Sequence, residues 1–195
     1  MMCPLICYIH RYQKYNNFMK PLERIETERL VLRKLRMQDA PDIFTAYAQD
    51  PEVTRYLTWR PHQSVEETYQ FVGQMLKHWE AGRTYAYAIT AKDADTIIGM
   101  IAMYPDGYRL AIGYVLAHSH WGKGYIPEVA RALIDWALQQ PSVQRVYATT
   151  DVENDASRRV LEKVGMECEG IFPKYMVHPN ISAAPRDSYI YAITK

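Results

Sequence analysis

Trp121-Gly122-Lys123-Gly124-Tyr125-Ile126-Pro127-Glu128 is the stretch that decides the fold. A strand-like run, 110–116, precedes it, and apolar residues recur after it, over 129–138, at the spacing of one helix face. The two glycines are therefore predicted to lie in a turn between a strand and a helix N-terminus. Such a terminus has unpaired backbone N–H groups and a partial positive charge, and glycine lets a phosphate approach the backbone closely. The stretch predicts an anion site for a phosphate-bearing cofactor; the alternative is a plain strand-to-helix turn.

Two common nucleotide-binding patterns do not fit this stretch. The phosphate loop of nucleotide hydrolases requires Gly-Lys followed by Ser or Thr at the start of the helix, and that order is not met. The dinucleotide fingerprint Gly-x-Gly-x-x-Gly fails because Pro127 occupies the position of the third glycine. The glycine pair alone therefore does not identify its ligand.

Length and composition are those of an ordinary globular protein. The chain has 195 residues, of which 48% are hydrophobic and 23% charged, enough for one domain with a single core. We expect residues 1–24 to form an N-terminal extension that could be dispensable, and residues 25–195 to form one domain. A net charge of +1 argues against a nucleic-acid partner.

The cysteines and the apolar runs bear on compartment, metal binding and membrane association. Cys3, Cys7 and Cys168 form no disulfide framework, so we expect a reducing, cytoplasmic location. No metal is expected, because the Cys-x3-Cys pair is not followed by a second Cys or His pair at a suitable spacing. We expect no membrane span, because no run approaches roughly 18 apolar residues, and residues 1–10 make a poor signal peptide.

Periodicity and turn residues predict the remaining elements. Strands are predicted at 29–35, 85–90, 96–103, 109–116, 143–150, 168–176 and 188–193. Helices are predicted at 41–49, 64–82, 127–140 and 154–164, with a short helical turn at 51–57. Ser64 and Glu67 indicate a capping box, in which the Ser64 hydroxyl accepts from the backbone N–H three residues on.

The order of these elements predicts the sheet. Short connections favour an antiparallel N-terminal part, whereas strand, helix and strand across 110–150 favour a parallel crossover. The predicted fold class is α/β (α+β), a mixed sheet of six to seven strands with a parallel central pair and helices on both faces. A ligand would bind where the strands part, beside the glycine loop.

Several separated motifs resemble the GNAT superfamily of acetyl-CoA-dependent N-acetyltransferases. In chain order they are Thr27-Glu28-Arg29-Leu30, Ile112-Gly113-Tyr114, Trp121–Glu128 and Asn154–Met166. The chain is most similar to the branch of Rim-type ribosomal-protein alanine N-acetyltransferases. The resemblance spans about residues 25–194 and implies a GNAT-type fold with acetyl-CoA as co-substrate.

The resemblance also implies how acetyl-CoA is held. The backbone of the glycine loop would bind the diphosphate, and the edge of the preceding strand would pair with the two amides of the pantetheine arm. Asn154 would bond that arm, or cap a helix, or both. The implied cofactor-binding residues are Tyr114, Val115, Leu116, Trp121, Gly122, Lys123, Gly124, Tyr125, Ile126, Asn154 and Arg158. Lys123 and Arg158 have an alternative role as ordinary surface residues, and Ile126 makes the turn more crowded than usual.

The implied chemistry is direct attack of a neutral amine on the thioester in a ternary complex. Positioning, together with a backbone N–H of Val115 or Leu116 aimed at the developing oxyanion, would supply much of the acceleration. Ser157 stands where Rim-type relatives are proposed to protonate the leaving thiolate, so the implied catalytic residues are Ser157 and Asn154. Two departures are Ala111, where a glutamate is common, and Leu161, where many members have a tyrosine acid.

The base and the acceptor are left open by the sequence. Asp187, Glu169, His120 and a water chain are all candidates for the base. An α-amine with a pKa of about 7.7–8.0 is roughly a tenth neutral at pH 7, whereas lysine, at about 10.4, is almost entirely charged. We therefore expect the acceptor to be the N-terminal α-amine of a protein, such as a ribosomal protein; the alternatives are a small-molecule amine and a non-catalytic acetyl-CoA-binding module.

Two variable connectors are expected to recognise the acceptor. The first contains Tyr56, Trp59 and Arg60, and the second is the polar loop 178–187. If the two connectors enclose a pocket, a small amine is favoured; if they leave an open groove, a peptide is favoured. The sequence is compatible with a monomer or a homodimer.

Overall fold

The computed structural model describes residues 19–195 and contains one mixed sheet of eight strands, ordered β1-β2-β3-β4-β5-β6-β8-β7. The strands are β1 (Arg24–Glu26), β2 (Leu30–Lys34), β3 (Tyr85–Ala91), β4 (Ile97–Asp106), β5 (Arg109–Leu116), β6 (Arg145–Asp151), β7 (Glu167–Met176) and β8 (Arg186–Thr194). Among the described residues, only β5 and β6 pair in parallel. The predicted mixed sheet is confirmed. It has one strand more than expected, since the three residues of β1 are too few to show a periodicity.

Within the described residues, five α-helices and three short helical turns cover the sheet. The helices are α1 (Ala40–Ile43), α2 (Pro51–Thr54), α3 (Val65–Glu80), α4 (Tyr125–Gln139) and α5 (Asp155–Lys163). Two 3-10 turns lie at Met37–Asp39 and His118–His120, and α1 widens into a π-helical turn at Phe44–Ala48. The helix predicted at 41–49 is therefore not a regular α-helix. In the same segment the Thr45 hydroxyl donates to the carbonyl of Pro41, a bond typical of bent helices.

The predicted capping box at Ser64 is wrong in its hydrogen bonds. Ser64 is the N-cap of α3, but its side chain bonds no backbone N–H of the first turn. The hydroxyl instead bonds the Glu66 carboxylate and lowers the pKa of Glu66. The Glu67 carboxylate accepts from the N–H of Gln63, one residue before the cap.

Helices cover both faces of the sheet, as predicted, but residues 19–195 form two hydrophobic clusters, one on each face, rather than the single core expected. On one face, α4 buries Val129, Leu133 and Ile134 against the strands. On the other face, Ile43 and Val72 belong to a second cluster with the small residues of β3 and β4. We refer to these as the α4 face and the α3 face.

The domain begins before the predicted boundary at residue 25. Strand β1 starts at Arg24, and the hydroxyls of Tyr85 and Tyr87 donate to the carbonyls of Met19 and Leu22. Residues 19–24 therefore contact the domain, and whether the extension is dispensable stays a prediction. The remainder of the predicted extension, residues 1–18 with Cys3 and Cys7, lies outside the described residues.

A gap between β5 and β6 locates the candidate site. The parallel pairing covers only 109–111 with 145–147. Beyond Ala111, β5 stays paired with β4 and β6 stays paired with β8, so the two strands part. The gap opens beside the glycine loop, where a ligand is expected in sheets of this type.

Candidate active site

The glycine loop forms an uncapped helix N-terminus. Gly122 and Gly124 have φ of +76° and +75°, the left-handed conformation that side chains strongly disfavour. Gly124 is the N-cap of α4 and has no side chain to bond the first-turn N–H groups. The N–H groups of Tyr125 and Ile126 are thus left for a ligand, and Pro127 has none. The predicted strand-to-helix turn is confirmed, and the anion site at this turn stays a prediction.

One edge of β5 is open beside this loop. The N–H of Ala117 donates to the carbonyl of Ile98, so every second residue, including Val115, directs its backbone groups at β4. Tyr114 and Leu116 direct theirs toward the gap. Of the two N–H groups expected to face an oxyanion, that of Leu116 is therefore available and that of Val115 is turned toward β4.

The indole of Trp121 closes part of this edge. Its Nε1 donates to the carbonyl of Leu116 at 2.8 Å, and its ring lies 4.5 Å from that of His118. The carbonyl of Leu116 is therefore occupied. The N–H of Leu116 and both backbone groups of Tyr114 remain available to a ligand. This short edge fits the paired amides of a pantetheine arm.

Asn154, Ser157 and Tyr114 lie together at the start of α5. The Asn154 side chain caps the helix by accepting from the N–H of Ser157 at 3.1 Å, so its alternative role as an N-cap is confirmed. The Ser157 hydroxyl is 2.8 Å from the hydroxyl of Tyr114. Burial raises the pKa of Tyr114 well above its usual value, so Tyr114 remains a neutral donor and acceptor. Leu161, at the position of a common tyrosine acid, is buried in the core.

Three other expected cofactor residues have different surroundings. Ile126 is buried in the core below the loop, so its side chain does not crowd the turn. The Arg158 guanidinium pairs with Asp155 at 3.0 Å on its own helix. Lys123 is exposed, and its carbonyl accepts from Arg29. Neither cation is held against the loop by the described residues.

Glu128 is held by Thr27 and Arg29, two residues for which the sequence predicts no role at the site. Its carboxylate accepts from the hydroxyl of Thr27 and from both the N–H and the Nε of Arg29. Burial alone would raise the pKa of Glu128, but these donors outweigh it and hold the pKa below its usual value. The contact joins residues about a hundred positions apart, and no local signal predicts it.

The two expected acceptor connectors are fastened to each other; we call residues 54–60 and 178–186 the acceptor side. The Nδ2 of Asn180 donates to the carbonyls of Thr54 and Trp59, both at 2.7 Å. The hydroxyl of Tyr56 donates to the carbonyl of Glu153 at 3.2 Å, beside Asn154.

Trp59 and Arg60 do not line the gap as Tyr56 does. The Trp59 ring packs against His62 and Phe71 of the α3 face, at centroid distances of 5.0 and 6.3 Å. Arg60 is exposed. Of the three expected acceptor residues, Tyr56 alone reaches the turn between β6 and α5.

A buried polar cluster supports the acceptor side. His178 is 5% exposed, and its Nε2 lies 3.7 Å from the Asp151 carboxylate, which also accepts two bonds from Arg186. Burial lowers the pKa of His178, although Asp151 opposes the shift. Burial would raise the pKa of Asp151, but Arg186 and the N–H of Glu153 lower it below its usual value. The cluster therefore contains a neutral His178 beside an ionised Asp151, whose charge is balanced by Arg186.

The three side chains considered as general bases are engaged elsewhere. Glu169 forms an ion pair with Arg145, the first residue of β6, roughly 20 Å along that strand from Asp151. Asp187 accepts from the N–H of Lys174, which has a φ of +49°. His120 bonds Ser119, and burial together with Lys123 lowers the pKa of His120. The general base stays open between these side chains and a water chain.

The side chains and helices of residues 19–195 bear on metal binding and membrane association. Within that range, no group of three or more His, Cys, Asp or Glu side chains is placed to hold a metal ion. None of the helices there is both long and apolar enough to cross a bilayer.

Comparison with known proteins identifies the family. A model of the acetyltransferase (GNAT) domain matches residues 29–167. YoaA of Bacillus subtilis (strain 168), described as an uncharacterized N-acetyltransferase, is 30% identical over 174 residues, or 88% of this chain and 96% of YoaA. A solved GNAT-family acetyltransferase from Bacillus anthracis has a TM-score of 0.76 at 29% identity, covering 88% of this chain and 98% of its own.

A Rim-type enzyme shares the fold. The ribosomal L7/L12 alpha-N-protein acetyltransferase RimL, solved with coenzyme A, has a TM-score of 0.78 at 21% identity, covering 88% of this chain and 98% of its own. At that identity the likeness shows the fold alone, and the Rim-type branch stays a prediction. The domain match and the relatives agree on the broader assignment: the chain belongs to the GNAT family of acetyltransferases.

Proposed function

We propose that this protein transfers the acetyl group of acetyl-CoA to a primary amine, and that the preferred acceptor is the N-terminal α-amine of a polypeptide. Acetyl-CoA would lie across the gap, with its diphosphate on the N–H groups of residues 122–126 and its pantetheine arm along Tyr114 and Leu116. Asn154 and Ser157 would face the thioester end. The uncapped turn and the open strand edge fit a ligand that has both a diphosphate and two amides.

The observation that carries the choice of acceptor is the environment of Ala111. By strand alternation Ala111 faces the α3 side, as Val115 does, at the base of the gap. Its partners in register are Tyr104 on β4 and Tyr147 on β6. Burial, with a contribution from Asp106, raises the pKa of Tyr147 to about 12, so that hydroxyl is a poor proton acceptor. Without a carboxylate at this position, an amine of low pKa is the better substrate.

The chemical step conserves every atom and proton. The lone pair of the neutral amine attacks the acetyl carbonyl carbon, a C–N bond forms, and the C–S bond breaks with both electrons going to sulfur. With the backbone groups of Tyr114 paired to the pantetheine arm, the Leu116 N–H would be left to stabilise the oxyanion. The amine loses one proton to water, and Ser157, bonded to the Tyr114 hydroxyl, would donate a hydrogen bond to the departing thiolate. A thiol pKa near 8.5 makes full protonation by Ser157 unnecessary.

A second candidate, acetylation of a small-molecule amine, is favoured by a different observation. Asn180 ties the two connectors together, and Tyr56 ties the first of them to the β6–α5 turn. Connectors held together in this way would favour a closed pocket over an open groove. A free polyamine or amino-acid amine passes a narrow entrance more easily than a folded protein terminus does.

A matched acceptor panel separates these candidates. The panel contains a short peptide with a free α-amine and no lysine, the same peptide with a blocked α-amine and one lysine, and a polyamine; CoA release is measured. The proposal predicts the highest kcat/KM for the free α-amine. Release with the polyamine alone would replace it by the second candidate. Acetyl-CoA binding without release on any amine would indicate a non-catalytic binding module and overturn the proposed activity.

A further inference from the structure

Thr27, Arg29 and Glu128 form a cluster directly against the glycine loop. Glu128 lies in the first turn of α4, at the helix end assigned to the diphosphate. An unmatched carboxylate there would repel a phosphate and would compete with it for the partial positive charge of the helix. A phosphate site at this turn therefore requires that the charge of Glu128 be matched.

The β1–β2 connection supplies that match. One oxygen of Glu128 accepts from the Thr27 hydroxyl at 2.5 Å and from the Arg29 N–H at 2.8 Å. The other accepts from the Arg29 Nε at 2.7 Å, and the Glu128 side chain is only 15% exposed. Both carboxylate oxygens are thus directed toward the N-terminal segment and away from solvent.

Arg29 also contacts the loop itself. Its Nη1 donates to the carbonyl of Lys123 at 3.0 Å, and its guanidinium carbon lies 4.8 Å from the centre of the Tyr125 ring. Its Nη2 lies 3.7 Å from where a Cβ would stand on Gly124. Because Arg29 holds the Lys123 carbonyl, that oxygen cannot turn toward a bound anion. The guanidinium places a fixed positive charge beside Gly124.

We propose that Arg29 is a positioning residue of the acetyl-CoA site: it fixes the glycine loop through Lys123 and Tyr125, and cancels the charge of Glu128, so that the loop accepts a diphosphate. This inference rests on the proposed assignment of residues 122–126 to the diphosphate. A clamp that only joined β2 to α4 would alter stability without distinguishing ligands that carry a diphosphate from ligands that lack one. That difference provides the test.

The experiment compares two acetyl donors in the full-length chain. Acetyl-CoA carries the diphosphate, and S-acetylpantetheine carries the same thioester and amides without it. For Arg29→Gln we expect kcat/KM with acetyl-CoA, and the affinity for CoA in calorimetry, to fall by about tenfold or more, as for loss of a charge-assisted contact. With S-acetylpantetheine we expect kcat/KM to stay within about twofold of wild type.

Two further variants isolate the charge. In Arg29→Gln combined with Glu128→Gln, the repelling carboxylate is also removed, so part of the CoA affinity lost in the single variant should return. The matched control is Arg24→Gln, because Arg24 lies on neighbouring β1 and pairs with Glu26 at the surface. This control should match wild type with both donors.

Each outcome decides for or against the inference. An equal loss with both donors, or a double variant no better than Arg29→Gln, would show a structural clamp and overturn it. Wild-type CoA affinity in a folded Arg29→Gln protein would overturn it while leaving the proposed function intact. A wild-type protein that failed to bind CoA would overturn both.

Discussion

The glycine loop and the acceptor side differ in what holds each of them in place. At the loop, the groups proposed to bind acetyl-CoA are backbone N–H groups, exposed by two glycines of positive φ and by a helix start without a side-chain cap. On the acceptor side, distant side chains fasten two connectors, chiefly Asn180 and Tyr56. The proposed cofactor site is thus formed by one short stretch of sequence, the glycine loop. The acceptor side is formed by contacts between segments that are distant in the sequence.

From this difference we expect the two sides to tolerate substitutions differently. A backbone site depends on residue types that permit a conformation, so it can be recognised in one local stretch and lost through one substitution. A site built by tertiary contacts can change its ligand when one of several side chains changes. The following predictions test that division, in order of decreasing expected effect.

The largest effect is expected for Gly124→Val. A β-branched residue at a φ of +75° is strained, and its side chain would lie near the Arg29 guanidinium, on the loop proposed to receive a phosphate. We expect the dissociation constant of acetyl-CoA to rise by about 100-fold, equivalent to roughly 2.7 kcal/mol. Calorimetric titration measures it, with thermal unfolding to confirm that the variant is folded.

Gly107→Val is the matched control for that substitution. Gly107 also has a positive φ, of +59°, and lies in the turn between β4 and β5, at the far end of β5 from the loop. The control should show similar backbone strain and an unchanged dissociation constant. If both variants bind acetyl-CoA as tightly as wild type does, the loop does not hold the diphosphate.

Ser157→Ala separates chemistry from binding on the cofactor side. We expect kcat to fall about tenfold, less than the effect of many general acids, because a thiolate is already a good leaving group. The affinity for acetyl-CoA should remain, since Asn154 caps α5 without the Ser157 hydroxyl. Tyr114→Phe, which removes the hydroxyl bonded to Ser157, should give a smaller loss of kcat. Unchanged kcat in Ser157→Ala would remove its catalytic role.

The extent to which sequence predicted this molecule follows the same division. The glycine loop, the Asn154 cap and the strand parting are encoded by local residue types and periodicity, so all three could be predicted. The Arg29–Glu128 clamp and the Asn180 bonds could not, because each joins segments separated by about a hundred residues or more. At Ser64 a prediction from local sequence is wrong. Its hydroxyl bonds the Glu66 carboxylate instead of the backbone N–H that the capping pattern predicts.

On the acceptor side, Asn180→Ala should affect the acceptor and spare the cofactor. The substitution leaves the carbonyls of Thr54 and Trp59 without their donor. Each lost hydrogen bond lowers the stability by about 1 kcal/mol and loosens the contact between the connectors. We expect KM for the amine to change about three- to tenfold, with acetyl-CoA affinity unchanged. Gln144→Ala, in which the lost amide donates to the nearby carbonyl of Pro141 and lies outside the acceptor side, is the control. A matching change in acetyl-CoA affinity would contradict the division between the two sides.

The smallest effect concerns stability and pH. Burial lowers the pKa of His178 in the folded protein below the unfolded value of about 6.5, so the unfolded chain binds this proton more readily. The free energy of unfolding therefore rises with pH between the folded pKa and 6.5, and this contribution is lost as pH falls below 6.5. In His178→Gln, urea titrations from pH 5 to 7 should show a shallower dependence; the wild-type slope would contradict the assignment.

Amide hydrogen exchange with and without acetyl-CoA tests the central claim most directly, because the claim concerns backbone N–H groups. The account predicts slower exchange at residues 122–126 and at Tyr114 and Leu116 when acetyl-CoA is bound. It predicts little change at residues 178–186. Tight binding that left the exchange of 122–126 unaltered, or that protected 178–186 instead, would contradict it.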